Sequence, residues 1–304
     1  MASITPDAVG LRRRVVARSS LVDVGLILAV PAVLVAVMAL PLPIREALVF
    51  EYARPTVRTA FFSSFVHLGT EHLAVNLLGY ALVVPVAYLL SLTTGSQRQF
   101  RVVFVSLLLT CPVLLAYLNL TIVRQSASVG FSGLLLTLYG YLPLLLARHL
   151  DQEFDVGTER TTAPLLFFAG VTLISVLTLG AVLTFGVTVP NGAVSVSVTD
   201  VLVKTLVGLI AALLLILVLY GVSLAEEGIS LRSDIRRAVA REGHFELAVA
   251  ALVLFLALPV TTFPVDPVLN GRVLNLYVHL LGYALGFMAT YVLAVLEEGA
   301  VVPS

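Results

Sequence analysis

Charged residues are spaced along this chain so as to leave eight long uncharged windows: 24–44, 72–97, 102–123, 125–147, 161–199, 205–225, 247–265 and 273–296. Each offers about 20 mostly apolar residues, enough for a helix to cross a hydrocarbon core about 30 Å thick. The pattern therefore predicts eight spanning helices. The longest window ends in TVPNGAVSVSVT (188–199), where a Pro-Asn-Gly turn signal precedes Val alternating with Ser or Thr. That tail predicts a loop or short extended strand outside the membrane. The segment 226–246 (EEGISLRSDIRRAVAREGHFE) carries charge at helical spacing and predicts an amphipathic helix at the membrane surface. Residues 1–20 predict a basic tail, 21–298 a transmembrane domain, and 299–304 a short terminal tail.

Composition agrees with a chain built for lipid. Of 304 residues, 59% are hydrophobic and 12% charged, and the mean hydropathy is +1.05. A net formal charge of zero gives no sign of a nucleic-acid partner. The single cysteine, Cys111, excludes an intramolecular disulfide and reads as a small buried hydrophobe. The first apolar run is too long for a cleavable signal, and no small-residue cleavage site follows it. Arginine placement sets an expected orientation. With the N-terminus in the cytoplasm, Arg12, Arg13, Arg14, Arg18, Arg98, Arg101, Arg148, Arg160, Arg232, Arg236, Arg237 and Arg241 fall on the cytoplasmic side. Arg45, Arg54, Arg58, Arg124 and Arg272 fall outside, with Lys204 near that surface. The positive-inside bias thus puts both termini in the cytoplasm; missing targeting sequence and the short tail favour a prokaryotic plasma membrane.

In that topology the second, fourth and eighth helices run from outside to inside. Their external ends carry His72 and Asn76, Ser132, and His279. Ser132 lies in Gly130-Phe131-Ser132-Gly133, within apolar sequence that no charge enters between Arg124 and Arg148. A serine becomes a nucleophile when a base takes its proton, and histidine is the usual base. An imidazole inside a membrane also needs a partner or a wet cavity. Of the five histidines, His149 and His244 neighbour charged residues and are expected to be solvated. His279 shares a helix face with Gly282 and Gly286, at i+3 and i+7, and such glycines let two helices approach closely. His72 and Asn76, at i and i+4, stack on one face and can donate hydrogen bonds. Donors aimed at a developing oxyanion contribute about 3–4 kcal/mol each; interhelical hydrogen bonding explains the pair equally well. His67 is expected to order the loop entering that helix.

Taken together, these residues resemble the rhomboid family of intramembrane serine proteases: His67, His72 and Asn76 as HxxxxHxxxN, then GFSG at 130–133, then His279-Leu-Leu-Gly282 with Gly286. The resemblance spans roughly residues 22–298 apart from an insertion. It implies an all-α polytopic membrane protein with a six-helix core, here enlarged by two helices within about 163–263. It implies Ser132 as nucleophile and His279 as base in a dyad without a carboxylate. It also implies an oxyanion hole from His72, Asn76 and the Ser132 N–H, transmembrane protein substrates cut near the outer face, and no metal or cofactor. The extra helix pair is the largest departure from the family, and two further features depart from it. Leu136 stands where many members carry a tyrosine on which the base stacks. The first external loop has no Trp-Arg pair, Glu51-Tyr52-Ala53-Arg54 being its candidate remnant and Arg58 another candidate. Two other classes fit less well. A catalytically inactive rhomboid-like protein that binds transmembrane helices would typically lack the dyad. A transporter would show broken helices in matching halves.

Overall fold

The computed structural model describes residues 10–121, 127–186, 196–226, 243–264, 266, 268–269 and 272–301. Twelve α-helices occur among them: α1 (Leu11–Arg18), α2 (Leu21–Met38), α3 (Leu42–Glu46), α4 (Val57–Phe62), α5 (Thr70–Thr94), α6 (Gln97–Asn119), α7 (Ser132–Gly140), α8 (Leu142–Phe154), α9 (Glu159–Phe185), α10 (Val196–Glu226), α11 (His244–Thr262) and α12 (Leu276–Val301). Two-residue strands β1 (Phe50–Glu51) and β2 (Ala127–Ser128) pair antiparallel, as do β3 (Val268–Leu269) and β4 (Arg272–Val273). Among the described residues eight spans are long and apolar enough to cross a membrane, one for each uncharged window. The chain is an all-α polytopic membrane protein.

The fourth span is the axis of the bundle. Its window is 89% buried, against 17% for α2 and 11% for α10. It is broken into α7 and α8 at Tyr141, because Pro143 has no N–H to continue the ladder. Around this axis stand α5, α6, α11 and α12, with α9 against α8 and α11, and α10 against α9. The α7–α12 contact is set by glycine. A methyl at Gly282 would meet the Gly133 carbonyl, one at Gly286 the Thr137 carbonyl, and one at Gly140 the Tyr283 carbonyl. With backbone touching backbone, a side chain at the start of either helix reaches the other. On its far side α12 is keyed to α9 by Phe167, stacked on Phe287 at 4.2 Å. Tyr139 locks α7 to α11 through a hydrogen bond to the Phe255 carbonyl at 2.5 Å.

The structure bears unevenly on the expectations from pattern alone. Residues 11–18 are helix, not tail. Arg14 pairs with Glu153, and Arg18 donates to the Leu92 carbonyl at 2.7 Å, so α1 is tied to the bundle. The expected extended tail of the fifth window falls on 187–195, outside the described residues, while 196–199 already belong to α10, where the valines continue an apolar helix. The expected surface helix at 226–246 falls mostly on 227–242, also outside them; its last residues, from His244, form the first turn of α11. Residues 299–301 continue α12. Cys111 is buried and unpaired among the described residues.

His149 and His244 are not solvated. They are 0% and 3% exposed, their rings stacked at 5.6 Å. Neighbouring charges misled the expectation, because those charges are themselves paired: Glu153 with Arg14, and Arg148 with Glu159. Their pairing lets this end of the bundle close over both imidazoles.

Candidate active site

The N-terminal ends of α5, α7 and α12 meet at the opposite end of the bundle. The segment entering α7 is held at three points. Ala127 and Ser128 pair with Glu51 and Phe50. The Gly130 N–H donates to the Ser63 carbonyl at 3.0 Å. The Phe131 N–H points at His67 Nε2 at 3.4 Å. Gly130 turns the chain with φ +109°, a conformation that disfavours any side chain, and a methyl there would overlap the His72 ring. These restraints present Ser132 as the first residue of α7, half-buried, with the unbonded N–H groups of a first helical turn around it.

His279 reaches Ser132 across the glycine contact, with Nε2 2.9 Å from Oγ. Its Nδ1 lies 2.9 Å from the Thr262 carbonyl at the end of α11. A carbonyl can only accept, so Nδ1 carries the proton. In the neutral ring Nε2 then bears the lone pair, and the serine hydroxyl donates to it. This is the tautomer a general base requires, fixed by a neutral oxygen where a triad uses a carboxylate. Phe263, one residue on, meets the His279 ring edge-to-face at 5.8 Å. Leu136 is wholly buried in the core, and the aromatic contact to the His279 ring comes from Phe263, just past the end of α11.

His72 is half-buried, with its ring lying against Gly130. Asn76 is 2% exposed, and its Nδ2 lies 2.9 Å from the His72 carbonyl and 3.1 Å from His67 Nε2. Both of its N–H groups are thus engaged, and donating to a third acceptor means releasing one. His67 is fully buried and bridges α5 to the serine loop through Asn76 and Phe131; Arg45 holds its carbonyl at 2.7 Å. Burial holds the His67 imidazole down to about 4, helped by the neighbouring His72 and opposed by the Phe65 backbone. A small cleft beside the site is lined by Ser63, Leu115, Ser128, Gly130, Gly133 and Val278. Arg54, in the candidate remnant of the Trp-Arg pair, bonds Glu51 at the surface.

Sequence reasoning missed Thr262 and Phe263, since a backbone carbonyl has no signature in side-chain identity. It also missed Asn119 and Asn275, which bond to each other at 3.1 Å beneath the start of α12; an asparagine just ahead of a helix was a readable capping signal. Among the described residues no cluster of three or more His, Cys, Asp or Glu side chains could hold a metal ion. Comparison with protein-family models, curated proteins and solved structures returns no match.

Proposed function

We propose that the chain is an intramembrane serine endopeptidase of the rhomboid type. Ser132 attacks the scissile carbonyl, and His279 takes the hydroxyl proton and returns it to the leaving amine. The Ser132 N–H and the His72 side chain stabilise the developing oxyanion, and Asn76 joins them by releasing one of its two bonds. The substrate is a transmembrane segment locally unwound by small or helix-breaking residues, because a regular helix hides its carbonyls. Cleavage falls near the outer face of a prokaryotic plasma membrane, with both termini of the enzyme in the cytoplasm. One observation carries this reading: the 2.9 Å contact from Ser132 Oγ to an imidazole whose other nitrogen is committed to a backbone carbonyl.

A fluorophosphonate probe tests it. The detergent-solubilised protein is expected to be labelled at Ser132, and Ser132→Ala or His279→Ala to abolish labelling. Labelling that persists in Ser132→Ala refutes the assignment. A wild-type protein that never reacts, with probe or with transmembrane substrates, would leave a helix-binding relative without activity.

A further inference from the structure

His279 is held from two directions, and only one of them, the Thr262 carbonyl, acts on the ring. The other acts on the backbone through a part-buried chain of polar groups that the proposed chemistry does not use. Asn275 precedes α12; its Oδ1 accepts the Val278 N–H at 3.3 Å, the geometry of a helix N-cap. Its carbonyl accepts the His279 N–H, also at 3.3 Å. The Asn275 Nδ2 donates to Asn119 Oδ1 at 3.1 Å, and Asn119 Nδ2 donates to the Tyr52 hydroxyl at 2.5 Å. Asn119 is 0% exposed, so its hydrogen bonds are made away from water, where losing one is costly. Tyr52 in turn packs edge-on against buried Phe50 at 5.9 Å.

Three consecutive residues therefore serve both halves of the dyad. Phe50 and Glu51 pair with Ser128 and Ala127, just ahead of Ser132. Tyr52 acts through Asn119 on Asn275, just ahead of His279. We infer that Asn119 is a positioning residue: it clamps the start of α12 to the segment 50–52 and so sets the separation of His279 from Ser132. The kinetic consequence rests on the dyad reading; the structural one does not.

The test uses the full chain in detergent. Asn119→Leu removes both bonds at similar volume. Asn119→Asp keeps the acceptor for Asn275 and offers one to the Tyr52 hydroxyl, whose O–H can turn toward it. Since small misplacements of reacting groups cost about 100-fold, Asn119→Leu is expected to slow fluorophosphonate labelling about 10–100-fold and shift its pH midpoint. Asn119→Asp is expected to stay close to wild type. A wild-type rate in Asn119→Leu, or an equal loss in Asn119→Asp, overturns the inference. Tyr52→Phe, which removes one link, is the milder variant if Asn119→Leu does not fold, with a smaller slowing expected and none overturning it. A second readout does not need a reactive serine. In ¹⁵N-histidine spectra, the His279 ring signals, assigned by their loss in His279→Ala, should move in Asn119→Leu and stay in Asn119→Asp. Unmoved signals in Asn119→Leu sink the inference; moved signals with an unlabelled wild type support it and sink the protease reading alone.

Discussion

Two imidazoles at opposite ends of this bundle make the same pair of hydrogen bonds. His279 bonds the Thr262 carbonyl through one nitrogen and the Ser132 hydroxyl through the other, both at 2.9 Å. His149 bonds the His244 carbonyl at 3.1 Å and the Thr93 hydroxyl at 2.9 Å. Each ring is thus placed to draw a proton from a hydroxyl, yet the surroundings differ in two decisive ways. Thr93 sits in the last turn of α5, where the N–H groups are spent in the helix ladder and the carbonyls face out, those of Leu92 and Thr93 held by Arg18; Ser132 opens α7, where N–H groups point outward. Thr93 is 2% exposed and its hydroxyl has a second acceptor, the Leu90 carbonyl at 2.8 Å, whereas Ser132 is half-exposed beside a cleft. A hydroxyl–imidazole–carbonyl chain is therefore not an active site by itself. In the reading proposed above, helix polarity and access are what distinguish the Ser132 end.

The largest expected effect separates the two ends. Ser132→Ala and His279→Ala should each reduce fluorophosphonate labelling and substrate cleavage by more than about 100-fold, the usual weight of a nucleophile or base. Thr93→Val and His149→Ala should leave the labelling rate within about threefold, because nothing near them touches a reacting atom, while lowering the thermal midpoint through a lost buried hydrogen bond. Loss of labelling in Thr93→Val, in protein that still melts cooperatively, would break the distinction drawn here.

Why the sequence disclosed one end and not the other follows from which properties are local. Charge spacing locates all eight spans, since a charged residue inside hydrocarbon is costly wherever the helix sits. Ser132, His72, Asn76 and His279 stand out because polar residues in apolar windows need a reason. The same rule failed for His149 and His244: each neighbours charged residues, and only the fold shows that Glu153 pairs with Arg14 and Arg148 with Glu159. The break at Tyr141 was written in Pro143, but the central position of that span was not, because a leucine facing lipid and one facing protein look alike in sequence. Thr262 is invisible for a different reason, since its contribution is a carbonyl that every residue possesses.

Glycine substitutions probe the comparison at intermediate strength. Gly95 ends α5 at the Thr93 end with φ +72°, and a methyl there meets only the Arg18 guanidinium, at 3.6 Å. Gly95→Ala should cost about 1–2 kcal/mol of stability from backbone strain and leave labelling intact. Gly130→Ala adds a collision with the His72 ring to the same strain. It should slow labelling at least about tenfold, since a small displacement of a nucleophile is expensive. Equal effects of the two on labelling would mean that His72 and the serine loop are not part of one site. His72→Ala and Asn76→Ala should each slow cleavage by about tenfold or more in protein that remains folded. Because Asn76 already spends both N–H groups on His67 and His72, its effect is expected to be the smaller of the two.

The smallest effect concerns His67, which lies ahead of α5 and bonds rather than reacts. Burial, first, and the nearby His72 hold its ring down to about 4, so it is neutral in the fold through most of the acid range. In the unfolded chain it takes a proton near its ordinary value of about 6.5. Between those values the unfolded state binds the extra proton, so stability is fully present above about pH 6.5, falls as pH drops toward 4, and levels off below. Protonation would also put a hydrogen on Nε2, the atom that accepts from Asn76 and faces the Phe131 N–H, and so loosen the serine loop. Thermal midpoints measured from pH 7 to 4 should decline in the wild type and decline less in His67→Phe. The slope is the test and not the absolute midpoint, which the substitution lowers by leaving the Phe131 N–H without its partner. An unchanged slope in His67→Phe would show that this imidazole is not the group being titrated, and that the serine loop is held independently of it.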